Sequence, residues 1–190
     1  MVVTALLAAL GMSVLLAADA ERRIAANAAY GAAALAAADA GVERVVLDLR
    51  VAAPWNEILN GSTLSGFCDH TIRPVLPSGG VFDLDGATAE LQSESQAQGS
   101  FGANNPRWRL FAWGPFSAMT PAAVDTREYI AVWVADDPSE IDGNPAADSN
   151  GVVTIHAEAR GPGGARRVVE ATIARGAAGV VNVVSWREVR

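Results

Sequence analysis

Hydrophobic and polar positions divide the chain into two parts of different character. Residues 1–18 (MVVTALLAALGMSVLLAA) carry no charge; the first charged side chain is Asp19, followed by Glu21, Arg22 and Arg23. No proline occurs before Pro54. The intervening sequence is rich in Ala, Leu, Glu and Arg, which lose little rotamer freedom in a helix. The pattern predicts one continuous helix over about residues 2–50, roughly 75 Å long at 1.5 Å per residue. In its first stretch the apolar residues lie all round, as in a membrane span or a buried helix. Val2, Val3, Leu6, Leu7, Leu10, Val14, Leu15 and Leu16 are therefore the candidate membrane or filament-core contacts. From residue 24 onward a seam follows: Ile24, Ala28, Gly31, Leu35, Ala38, Val42, Val45 and Leu49. Its spacing alternates four and three, which places these residues on one stripe. We expect that stripe to pack on the helix's own domain.

The second half reads as β structure with long loops. Residues 108–113 (WRLFAW) and 129–134 (YIAVWV) are mostly apolar runs, and the latter suits a central strand. Residues 152–160 alternate, with Val153, Ile155, Ala157 and Ala159 on one face and Thr154, His156, Glu158 and Arg160 on the other. The turn Gly161-Pro162-Gly163-Gly164 follows, and residues 166–175 alternate again with Val169, Ala171 and Ile173 inward. This is the signature of a β-hairpin. A last strand is expected at 180–184, giving three or four antiparallel strands with one face over the helix seam. Residues 54–106, rich in Gly, Ser, Pro and Gln, read as an irregular loop region with a short strand near 81–84. The expected organisation is a hydrophobic helix half (1–22) and a globular part (23–190). The latter comprises an amphipathic helix half to about 52, a loop region (53–106) and an antiparallel sheet (107–190).

Composition sharpens this picture. Of 38 alanines, 17 fall within the first 40 residues, concentrating small side chains on the helix. The formal charge is -7 and all 14 basic residues are Arg. A nucleic-acid surface is not indicated, since phosphate binding needs clustered positive charge. The single cysteine, Cys68, excludes an intrachain disulfide and a Cys-based zinc site. A secretory signal peptide is disfavoured for residues 1–18: no basic region precedes the run, and it exceeds the usual 7–15 residues. Eighteen residues lie at the short end of the range for a transmembrane helix, so a retained, functional hydrophobic helix is expected.

Chemical candidates are few. Residues 136–150 (DDPSEIDGNPAADSN) concentrate carboxylates and Asn side chains, and calcium takes six to eight oxygen ligands in flexible geometry. Asp142-Gly143-Asn144 matches part of an EF-hand loop but lacks its spacing and final Glu. The candidate is a structural Ca²⁺ site at Asp136, Asp142, Asn144 and Asp148, against a solvated acidic loop with Asx turns; no other cofactor is indicated. Cys68, Asp69 and His70 stand together, but no orienting base or oxyanion site accompanies them. An unpaired loop thiol is the expectation. His156 is expected to face solvent or a cross-strand partner, and Trp55 to anchor the helix's C-terminal end. No P-loop, G-x-S-x-G, H-E-x-x-H or Rossmann fingerprint is present.

These parts resemble a type IV pilin or type II secretion pseudopilin, and more specifically the PilX-like minor pilins. The resemblance is carried by Ala5-Leu6-Leu7-Ala8-Ala9-Leu10-Gly11, Ile24-Ala25-Ala26-Asn27 and Ala37-Ala38-Asp39-Ala40-Gly41-Val42-Glu43-Arg44. In the second half it continues through Gly102-Ala103-Asn104-Asn105-Pro106-Arg107-Trp108, Val134-Ala135-Asp136-Asp137-Pro138-Ser139-Glu140, Ala157-Glu158-Ala159, Val168-Val169-Glu170-Ala171-Thr172 and Ser185-Trp186-Arg187-Glu188-Val189-Arg190. It implies an α+β pilin-like fold, one long hydrophobic N-terminal helix packed on an antiparallel sheet, with Met1 at or near the mature N-terminus. Major pilins carry Glu at the fifth mature position, where Ala5 stands here; its omission fits a minor subunit. The resemblance further implies a non-enzymatic subunit of a type IV pilus-like filament. It would be processed by a prepilin peptidase, held in the inner membrane, then polymerised by the pilus assembly machinery with copies of itself or other pilins into an extracellular filament. A membrane-anchored periplasmic binding or adhesion module that does not polymerise is the alternative from a different class.

Overall fold

The uninterrupted run of helix formers builds a single helix, α1 (Val2–Val51), with Pro54 just past its end. The structure, a computed structural model, describes residues 2–52, 54–98, 106–121, 124–177 and 179–189, apart from the side chains of residues 5, 6, 8 and 9. After α1 come α2 (Asn56–Leu59), α3 (Leu84–Gln98), β1 (Arg109–Pro115), β2 (Tyr129–Asp136), β3 (Val152–Arg160), β4 (Arg166–Arg175) and β5 (Val181–Val189). The five strands pair antiparallel in the order β1-β2-β3-β4-β5, so each strand lies beside its neighbour in sequence. The fold is α+β, with five strands where three or four were expected.

The C-terminal half of α1 lies on one face of this sheet. Ala34, Ala37, Ala38, Val42, Val45, Val46 and Leu49 are buried against Ile130, Val132, Val134, Val153, Ile155, Ala157, Val169, Ala171 and Ile173. The alternation of β3 and β4 places these β-branched and small residues on the helix side. Gly41 sits where helix and sheet come closest: a Cβ there would lie 2.8 Å from Ile130 Cγ2 and 3.0 Å from Val132 Cγ2.

The predicted seam is correct from Gly31 onward, with Leu35 half-buried at its margin, but not before it. Ile24 is 69% exposed and Ala28 is also exposed. The reason is the reach of the sheet. The nine and ten residues of β3 and β4 extend about 30–34 Å, which matches only about 20 residues of helix. The sheet ends at the β3–β4 turn, where Gly163 backs onto Tyr30 and Arg167 reaches Gly31.

A third layer fills the opposite face. Residues 84–98, expected as loop, form α3, whose Leu84 and Leu91 pack with Phe82, Trp108, Trp113, Tyr129 and Trp133 in a second core cluster. The indole N–H groups on this side find acceptors in the same layer. Trp133 donates to Thr88 Oγ1 (2.7 Å), Trp108 to Ser95 Oγ (2.6 Å) and Trp113 to the Thr71 carbonyl (3.1 Å). The expected short strand at 81–84 is reduced to a bridge between Val81 and Val75. The expected loop at 102–105 lies outside the described residues.

Two devices fix the ends of these layers. Trp55, buried as expected at the end of α1, donates its indole N–H to the Leu49 carbonyl (2.9 Å). Arg175 on β4 stacks on that indole at 4.3 Å and donates to the carbonyls of Leu49 and Ala52. A cation thus meets the negative end of the helix dipole and satisfies its orphan acceptors. At one sheet edge, residues 65–69 run along β1, with hydrogen bonds from Ser65 N to Phe111 O, Trp113 N to Phe67 O and Asp69 N to Trp113 O. β5 forms the other edge and leaves Val183, Val184 and Trp186 exposed.

Candidate functional site

The largest departure from ordinary burial lies on α1 before Gly31. Val2, Val3, Leu7, Leu10, Val14, Leu15 and Leu16 are each at least 62% exposed, as is Ile24. Leu6, the remaining member of the predicted set, lies outside the described side chains. Isolated exposed apolar residues are ordinary, but a contiguous apolar surface of this size marks an interaction site. Each such side chain gains about 1.5–3 kcal/mol on leaving water. Together the seven described residues represent on the order of 10–20 kcal/mol of unused burial. About 40 Å of helix extends past the sheet, bearing only the Arg23–Asp19 pair (2.9 Å) as an intrahelical ion pair among the described residues.

The apolar surface continues along the solvent side of the docked half as a row of small residues. Ala25, Ala29, Ala32 and Ala36 are all exposed and lie three or four apart, on one face of the helix. Small side chains let a second backbone approach closely. Among the described residues, no helix is long and apolar enough to cross a membrane.

Comparison with protein families, curated proteins and solved structures finds no match for the chain.

The acidic loop between β2 and β3 is arranged differently from the predicted Ca²⁺ quartet. Asp142 accepts the Asn144 amide (2.9 Å) and Asn144 accepts the Ala146 amide (3.4 Å), so both close turns on the exposed side. Asp148 accepts the amides of Gly151 (2.6 Å) and Val152 (3.3 Å), while its own amide donates to Asn56 Oδ1 (3.0 Å). Burial pushes the Asp148 carboxyl up, against those amides, and Glu140 adds to the rise. Of the predicted ligands, only Asp136 joins a group of converging carboxylates. Its companions are Asp137 and Glu140, with one oxygen from each of the three within 4.8 Å of the others. Pro138 and Ser139 turn the chain so that Glu140 points back to the end of β2, a convergence that residue counting does not reveal.

The Cys68-Asp69-His70 segment lines an open groove of about 840 Å³ between α1 and the β1 edge. His70 Nδ1 lies 3.5 Å from Cys68 Sγ. Burial pushes the thiol above its ordinary value and Asp69 adds to the effect, outweighing the His70 amide. This is the opposite of an activated thiolate. Asp69 instead accepts the Tyr129 hydroxyl (2.9 Å) and the Thr71 amide (2.8 Å).

The polar face of β3, where solvent was the alternative to a cross-strand partner for His156, is instead largely covered. His156 is buried between Trp108 and Trp133 and meets its cross-strand partner Glu170 at 3.2 Å. Glu158, 2% exposed, pairs with Arg160 (2.5 Å) and Arg166 (2.8 Å). Its burial favours the neutral acid, yet the two guanidinium groups prevail and hold the carboxyl below its usual range. Glu170 is lowered likewise, its burial outweighed by His156 and Arg187. These pairs fasten the outer face of the sheet.

Proposed function

We propose that the protein is a structural subunit of a type IV pilus-like filament, a PilX-like pilin that polymerises through the N-terminal half of α1. The observation that carries the reading is the division of one 50-residue helix into two halves. One half is anchored to its own sheet from Gly31 to Leu49, and the other presents apolar side chains that no surface among the described residues covers. A helix held rigidly at one end and unburied at the other reaches a stable state by packing against similar helices. Hydrophobic burial supplies the driving force, and the row Ala25, Ala29, Ala32, Ala36 permits close contact.

In this reading the partners are copies of the same chain or other pilins, delivered by pilus assembly machinery after prepilin peptidase processing. Before assembly the uncharged run over residues 1–18 resides at the inner membrane, and afterwards it lies in a filament core at the cell surface. The net charge of -7 keeps the solvent-facing domains mutually repulsive and soluble. No reaction is required of the chain.

Sheared cell-surface material, examined by electron microscopy and mass spectrometry, tests the proposal. The chain is expected in purified filaments, as bulk or trace component. Recovery only as a membrane-bound monomer would overturn the proposal and leave the non-polymerising module as the reading.

A further inference from the structure

A group of buried carboxylates lies at the end of β2, away from the exposed half of α1. Asp136 is completely buried, Asp137 is 4% exposed and Glu140 5% exposed. One oxygen from each of the three lies within 4.8 Å of the others. Glu140 supplies the decisive detail. Its Oε1 accepts the amides of Ser149 and Asn150 (2.8 Å each), while its Oε2 is buried and has no hydrogen-bond partner among the described residues. A buried carboxylate oxygen left in that state calls for a ligand.

The geometry fits one. Two oxygens bound across a calcium ion at about 2.4 Å stand up to about 4.8 Å apart, and the three carboxylates meet within that span. All three donors are oxygens, with neither His nor Cys among them, which suits a hard cation over zinc or copper. Three carboxylates of irregular placement, one on a strand end and two on the loop after it, suit calcium better than magnesium, which demands near-ideal octahedral geometry and retains its waters. The surrounding bonds already orient the ligands. Asp137 accepts from Asn150 Nδ2 (2.7 Å) and the Ser139 amide (2.9 Å), and Asp136 from the Asp137 amide (3.0 Å).

We propose that Asp136, Asp137 and Glu140 form a Ca²⁺ site. Asp136 ends a strand of the central sheet, and Glu140 holds the amides at the far end of the same loop. The ion closes the loop on itself. Through Asp148, whose amide binds Asn56, it also steadies the joint between α1 and α2. The site is distinct from the predicted quartet and shares only Asp136 with it.

The test uses the full chain in mild detergent, stripped with a chelator and titrated with Ca²⁺ by calorimetry and thermal denaturation. At about a hundredfold excess over Kd, Ca²⁺ raises Tm by about 5–10 °C, and chelator reverses the shift. Mg²⁺ at the same concentration gives a much smaller shift. Glu140→Gln weakens binding at least about tenfold and removes the Tm shift, whereas Asp142→Asn binds like the wild type. Should Glu140→Gln fail to fold, Asp137→Asn serves as the second ligand variant. Absence of both heat and Tm shift up to about 10 mM Ca²⁺, the weak end for extracellular sites, overturns the proposal. So does a ligand variant that binds as tightly as wild type, or an Asp142→Asn variant that does not bind.

Discussion

The same substitution placed at two glycines of α1 has opposite expected effects, because the two face different neighbours. Within a helix, Ala is favoured over Gly by about 0.8–1.0 kcal/mol. At Gly41 the added Cβ would lie 2.8 Å from Ile130 Cγ2 and 3.0 Å from Val132 Cγ2, both on completely buried residues. Those methyls belong to β-branched side chains with little χ1 freedom. Relief therefore requires the helix to move off the sheet, an overpacking cost of about 1–3 kcal/mol. Gly41→Ala is expected to destabilise by up to about 2 kcal/mol. At Gly31 the Cβ would meet Arg167 Nη2 at 2.6 Å, the end of a long, partly exposed side chain that swings away. The loss is confined to the Arg167–Glu188 pair (3.2 Å) and an exposed hydrogen bond from Arg167 Nη1 to the Arg166 carbonyl (3.0 Å), the pair being worth under about 1 kcal/mol. Gly31→Ala is therefore expected to be neutral or stabilising. The two variants should differ by about 1–3 kcal/mol, or roughly 3–10 °C in Tm. Thermal unfolding of the full chain in detergent, followed by fluorescence of the buried Trp133 and Trp55, measures the difference. Gly11→Ala is the control: among the described residues nothing approaches its Cβ within 4 Å, and it lies beyond the sheet, so domain unfolding should not change. If Gly41→Ala proves as stable as Gly31→Ala, the close helix–sheet approach at residue 41 is wrong.

Other expectations concern the joint, the outer face, the thiol and the exposed helix. Arg175→Met removes the donor to the Leu49 and Ala52 carbonyls as well as the stack on Trp55, and should cost about 1–3 kcal/mol in urea unfolding. Glu158 and Glu170 both have depressed carboxyl pKa values, so the stability they confer is present above the ordinary carboxylate range and lost as pH falls through their folded values. Denaturant midpoints should thus decline below about pH 4, and Glu158→Gln should flatten that decline. Cys68 should react with a disulfide reagent at pH 7–8 more slowly than an unperturbed thiol, and unfolding in urea should restore the ordinary rate. Ala32→Glu and Ala36→Glu place charges on the exposed small-residue row; they should leave Tm within about 2 °C of wild type yet deplete the chain from sheared filaments.

The helix and the β3–β4 hairpin were readable because one strong local rule governs each. The absence of proline before Pro54, with Ala and Leu throughout, leaves α1 no alternative, and the alternation from Val153 to Ala159 determines which side of β3 faces it. The start of the contact was not readable. Ile24 and Ala28 obey the same period as Ala38 and Val42, but where contact begins depends on the length of strands more than 120 residues away. α3 was hidden by its composition, since Gly, Ser and Gln outnumber its apolar residues. The signal was present in Asp83, whose side chain accepts the Gly86 amide, and in Leu84, Ala87 and Leu91 on one face. The alternation of β3 puts His156 and Glu158 on its polar face, and tertiary packing covers that face. The carboxylates of the acidic loop could be counted, but which of them converge is decided by turns that employ Asp142 and Asn144 locally.

The order of elements along the chain has a consequence for synthesis. α1 is translated before the surface that covers it, which lies on β2, β3 and β4 and is complete only at Arg175. At about 5–20 residues per second, the helix waits roughly 6–25 s for that surface to emerge. Each strand pairs with its neighbour in sequence, so the sheet assembles through local contacts once its residues are free. Closing α1 onto β4 is the long-range step, spanning more than 100 residues of chain. During the interval the side chains of residues 31–49 that the sheet later buries are exposed together with the apolar residues of the N-terminal half. The yield of folded chain is therefore expected to fall when translation beyond residue 51 is slowed, because the interval of exposure lengthens.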